Sequence, residues 1–143
     1  MRTIALLGWL ALLPAGLIYH LVERDSHQRA DQIGEHLALA RESQDQEHWG
    51  TAVKNLEEAL KLIPEEATAD RQELRLELAQ ARMNASRLPE AHSELKALLD
   101  ELLEQDDHNV DLENRVRESM AHSQFYMTWL MRLEGLPREA WEP

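Results

Sequence analysis

The stretch HLALARESQDQEHWGTAVKNLEEALKLIP, His36 to Pro64, decides how this chain is read. Apolar residues return at helical spacing twice within it. Leu37 and Ala40, with Ile33 just before them, mark one helix face, and Ala52, Leu56, Ala59, Leu60 and Ile63 mark another. A short polar break separates the two. Pro64 closes the second helix, because proline lacks the backbone N–H and crowds the turn before it. Ala40 and Ala52 are small where two helices of a pair approach closely, and Trp49 with Leu56 fills the seam between them. The predicted unit is a helical hairpin.

Working outward, a third helical segment carries Leu74, Leu78 and Ala81, and a fourth carries Leu88, Ala91, Leu95, Leu98, Leu99 and Leu102. The fifth spans Val110 to Leu133, with Val116, Met120, Met127 and Leu130 on its apolar face, and Gly135 and Pro137 break it. The composition agrees with an all-α chain. Only five Gly and five Pro interrupt it, and Ala, Leu, Glu, Gln and Arg outweigh the β-branched residues.

The first hairpin recurs. Leu39 and Ala40 precede Ala52 by thirteen and twelve residues, Trp49 precedes it by three, and Leu56, Ala59 and Leu60 follow. The same offsets from Ala91 give Leu78, Ala79, Leu88, Leu95, Leu98 and Leu99. From Ala140 they give Met127 and Thr128, with Gly135 five residues back and Pro137 three back. This arrangement resembles the tetratricopeptide repeat, a helix–turn–helix of about 34 residues. Two departures stand out. Glu47 and Ser86 replace the turn glycine, and the copies are spaced 39 and 49 residues apart, so insertions fall between repeats.

The resemblance implies a short α-solenoid of antiparallel helix pairs over residues 33–143, divided at about 33–66, 67–105 and an incomplete 109–143. In that family the first helix of each pair lines a concave face that receives a peptide or partner helix. The lining positions implied are Leu37, Arg41 and Gln44, then Leu76, Gln80 and Met83, then Phe125 and Trp129. Leu37 and Arg41 stand where chaperone-binding members carry the Lys and Asn that clamp a terminal carboxylate, so no such clamp is expected.

Before the repeats comes TIALLGWLALLPAGLIYHLV, Thr3 to Val22, with no Asp, Glu, Lys or Arg and with His20 near its end. About 20 apolar residues in a helix span a bilayer core. No small-residue cleavage site follows the run directly. The expectation is a membrane anchor (or uncleaved signal) over 1–24, a linker over 25–32, and a single-pass membrane protein. Its soluble part would lie outside the cytoplasm, in a periplasmic or equivalent space.

The chemistry of sites is sparse. With no cysteine, disulfides, thiolate metal sites and thiol nucleophiles are excluded. Seven histidines form no HExxH or Glu-x-x-His motif; Glu118 and His122 make a lone pair four residues apart. The run from Asp106 to Asp111 lacks the glycine and terminal glutamate of a calcium loop, and Asn84-Ala85-Ser86 is only a formal glycosylation sequon. Carboxylates are expected to pair along helices, as Glu57 can with Lys61. No catalytic, cofactor-binding or metal-binding residue is predicted. A net charge of −12 opposes binding to nucleic acid.

Phe125, Tyr126, Trp129 and Trp141 crowd the C-terminal end. Aromatics dominate binding hot spots, so these join the candidate partner surface, with self-association through this end as one outcome. The function expected is a non-enzymatic, membrane-anchored scaffold or adaptor whose partners are other proteins and, through residues 3–22, the bilayer. The alternative is a structural subunit of a larger membrane complex.

Overall fold

A computed structural model describes residues 27–105, 107 and 109–137. These are helical with no strand among them, so the fold is all-α. Helix α1 covers 27–45 of the described chain, followed by α2 (Trp49–Leu62), α3 (Thr68–Asn84), α4 (Leu88–Glu104) and α5 (Val110–Leu133). Each stop and start has a local cause. Ile63 leaves the helix at φ −68°, ψ 126°, the extended conformation that a following proline imposes. Pro89 lies in the first turn of α4, where a missing N–H costs nothing. Asn109 caps α5 by accepting a 3.1 Å hydrogen bond from the Leu112 N–H.

The helices α1, α3 and α5 end in one shared motif. Glu47, Ser86 and Gly135 take φ values of 57°, 62° and 73°, the left-handed conformation that glycine adopts freely and other residues adopt under strain. In each case the next N–H reaches back five residues: His48 to the Ser43 carbonyl at 2.8 Å, Arg87 to Arg82 at 2.8 Å, and Leu136 to Met131 at 3.1 Å. The left-handed residue itself donates three residues back, to Gln44, Met83 and Arg132. This is the Schellman arrangement, which satisfies carbonyls that a helix end leaves open. The three stops fall at the repeat spacing read from the sequence, and Glu47 and Ser86 hold the glycine conformation without being glycine.

Two apolar clusters lie on opposite sides of α3. The first joins Ala40 of α1 to Val53, Leu56 and Ala59 of α2 and to Leu74, Leu78 and Ala81 of α3. The second joins Leu76 and Ala79 of α3 to Leu95, Leu98 and Leu102 of α4 and to Leu112 and Val116 of α5. Ala52 and Ala91 are fully buried, as close helix approach requires, while Trp49 is half-buried. Helix α2 packs on α3, α3 on α4 and α4 on α5, and α3 also touches α5.

Several expectations change. The stretch 27–32, read as linker, is already helical. Lys61 pairs with Glu58 at 2.8 Å, because Glu57 instead turns inward to Arg82 at 2.9 Å. Leu130, placed on a buried face, is 41% exposed. Its helix outruns its neighbours: Ser123 lies level with His92, near the start of α4, so the turns beyond it project past α3 and α4.

The single-pass membrane localisation, with its soluble part outside the cytoplasm, is corrected. No helix among the described residues is long and apolar enough to cross a membrane. The 24 residues of α5 have the length, but Asp111, Glu113, Arg115, Arg117, Glu118 and Arg132 interrupt it. Each such charge costs about 2.5–3.5 kcal/mol at a bilayer centre. The apolar run at 3–22, on which the expectation rested, lies outside the described residues.

Candidate functional site

One groove gathers three of the residues that the repeat reading singled out, Leu37, Arg41 and Gln80. It encloses about 570 Å³ and lies between α1 and α3, bordered by the α2–α3 connection and by Arg115 of α5. Its apolar lining comes from Ile33 and Leu37 of α1, Ile63, Pro64 and Ala67 of the connection, and Leu74 of α3. Its polar lining comes from Arg41, Asp70, Glu73, Glu77, Gln80 and Arg115. Such an amphipathic cleft suits a side chain with an apolar body and a polar tip better than a small metabolite.

Side-chain bonds hold the three helices that line it. Gln44 of α1 donates to Glu77 of α3 at 3.2 Å. Gln80 of α3 donates to the Ser119 hydroxyl of α5 at 3.0 Å, and Arg115 of α5 donates to both oxygens of Glu73 at 2.9 and 3.1 Å. Arg41, Asp70 and Gln80 are exposed around this lining. Gln44 and Gln80 therefore brace the groove, whereas Arg41 and Asp70 show an occupant their charge.

The predicted positions divide accordingly. Leu37, Arg41 and Gln80 line the groove, and Gln44 sits beside it through Glu77. Leu76 does not: it is fully buried in the second cluster, because the same residue spacing that puts Leu37 at an open edge puts Leu76 beneath α4 and α5. Met83 is half-buried against that cluster. Phe125 and Trp129 lie on α5, 66% and 50% exposed and away from the groove, and Trp141 lies outside the described residues. The connection residues Ile63, Pro64 and Ala67 were missed as lining. The proline that stops α2 also forces the chain across the groove mouth, which the position of Pro64 between two helices could have signalled.

Away from the groove, a charged seam joins α3 to α4. Arg75 donates to Glu94 at 2.6 Å and to Glu101, Gln72 donates to Glu101 at 2.8 Å, and Arg82 reaches Glu57 of α2. Burial alone would push the Glu101 carboxyl up, but hydrogen bonds from Gln72 and Arg75 and the nearby arginine charges hold it below the ordinary carboxylate range. Every acid in the seam faces an arginine or an amide donor, so the seam is fastening between helices. Ser123, fully buried, donates to the Met120 carbonyl at 2.8 Å and lies 3.0 Å from His92 Nδ1, which fixes α5 against α4.

Comparison of the chain with protein-family models, with curated proteins and with solved structures finds no match.

Proposed function

We propose that this chain is a non-enzymatic interaction module of the tetratricopeptide type, which holds a segment of another protein in the groove lined by α1, α3 and α5. The observation that carries the reading is the equivalence of these three helices. They end in the same left-handed stop at the repeat spacing, they stand side by side through Gln44–Glu77 and Gln80–Ser119, and their open side is the amphipathic groove. An edge of this kind, apolar along Ile33, Leu37 and Leu74 and charged at Arg41 and Asp70, supplies both anchorage and register to a bound peptide.

The test uses Arg41→Glu with Gln80→Ala in the full chain as bait. Arg41 is exposed, and far-UV circular dichroism of the bait checks that loss of the Gln80–Ser119 bond leaves the helices intact. Partners retained by the native chain are expected to be lost from this variant and kept by Asp100→Lys, a charge change on the outer side of α4. Equal retention by all three baits contradicts the groove reading.

A further inference from the structure

Helix α3 is buried on two sides, and α5 repeats its register with only one side covered. On α3, Leu74, Leu78 and Ala81 meet the first cluster, while Gln72, Leu76 and Ala79 lie on the second side, towards α4 and α5. At the repeat spacing of 49 residues, the second side corresponds on α5 to Ala121, Phe125 and Thr128. Leu76 is 0% exposed, whereas Phe125 is 66% exposed and Trp129 beside it 50%. On α5 only the opposite side, with Leu112, Val116 and Ser123, is buried. Among the described residues, the stacking face of α5 is open.

We propose that a second copy of this chain covers this face, the two α5 helices meeting antiparallel about a two-fold axis through Phe125. The order of residues along the stripe is self-complementary. Glu118 lies seven residues before Phe125 and Arg132 seven after it, two turns each way and on the same side of the helix. All three are exposed. Antiparallel contact centred on Phe125 sets Glu118 of each copy opposite Arg132 of the other, and Trp129 over the small Ala121. The Arg132 guanidinium has five N–H donors, enough to serve a second copy along with contacts inside its own chain.

Charge singles out the same region. A chain of net charge −12 repels its own copies over most of its surface. From Ser119 to Met131 there is no Asp, Glu, Lys or Arg, and His122 is the only titratable group apart from the Tyr126 phenol. His122 is exposed on the stripe itself, flanked by Glu118, and no charged side chain from α3 or α4 pairs with it among the described contacts. Two copies therefore approach here without meeting like charge, and isologous contact of this kind closes at two chains.

Absence of cysteine makes the test direct, since Phe125→Cys carries a single thiol. Helices packed about 9–10 Å apart, with Cα atoms about 2.3 Å from each axis, bring two facing Cα atoms to about 4.4–5.4 Å, within disulfide reach. Under mild oxidation of the full chain, Phe125→Cys is expected to form covalent dimer at least tenfold faster than Val110→Cys, which is 61% exposed on the same helix. Adding Glu118→Arg should slow the trapping several-fold, and adding Arg132→Glu as well should restore it. Trapping of Phe125→Cys no faster than Val110→Cys overturns the proposal, whether another segment covers the face or nothing does. Trapping that the paired charge reversal fails to restore overturns the antiparallel register.

Discussion

Leu76→Ala separates core from groove more sharply than any other single change. The tetratricopeptide resemblance assigns Leu76 to the concave lining, yet the side chain is 0% exposed and enclosed by Leu95, Leu98, Leu112 and Val116. Truncation removes three carbons from this setting, about 2.4 kcal/mol at about 0.8 kcal/mol per buried group. A residual cavity of about 40 Å³ adds about 1 kcal/mol at roughly 24 cal/mol per Å³. The total, about 3.4 kcal/mol, lies in the ordinary range for a buried leucine of about 2–5 kcal/mol. For a domain of this size that lowers Tm by roughly 15 °C. Urea unfolding followed by far-UV circular dichroism gives the difference directly, with the slope unchanged if only stability moves. Leu37→Ala, at the half-buried equivalent position, should cost under about 1.5 kcal/mol, since its neighbourhood opens to solvent and leaves a smaller void. A loss below about 1 kcal/mol for Leu76→Ala would refute the burial argument and return Leu76 to the groove.

Three further outcomes follow from named contacts. Asn109→Ala removes the cap on Leu112 and should lower stability by about 1 kcal/mol, read by the same urea titration. Ser86→Gly should raise stability by about 0.5–1 kcal/mol, because relief of the left-handed conformation exceeds the entropy that glycine adds to the unfolded chain; a fall in the unfolding midpoint would contradict this. Glu101 titrates lower in the folded chain than in the unfolded one, where a glutamate titrates near 4.3. Its stabilisation is thus present above that value and lost as pH falls through the folded one. Glu101→Gln should flatten the acid limb of stability below about pH 5 while lowering neutral stability, and an unchanged acid limb would show that the seam does not hold this carboxylate.

The helices were readable because burial repeats at 3.6 residues, and Gly135 with Pro137 marked the end of α5. The turn positions were readable too, since Glu47 and Ser86 sit at matching offsets even without glycine. What escaped was direction. A reading of α3 from Leu74, Leu78 and Ala81 finds one face, but Leu76 and Ala79 make a second, and which of two faces opens to a groove depends on which helices stack beside it. Leu130 escaped for the same reason: its spacing is that of a core residue, but the neighbouring helices end before they reach it. Ion pairs were the least readable. Glu57 could serve Lys61 one turn away or Arg82 of another helix, and tertiary proximity decides for Arg82.

The claim that matters most is that a protein segment occupies the groove between α1 and α3. Site-specific photocrosslinking in the living cell tests it most directly, with a photoreactive residue placed in the full chain at Arg41, at Gln80 or at Asp100. All three positions are exposed, and only the first two line the groove. Arg41 and Gln80 are expected to yield the same discrete adduct while Asp100 yields none. Adducts at Asp100 matching those at Arg41, or no adduct at either groove position, would contradict it.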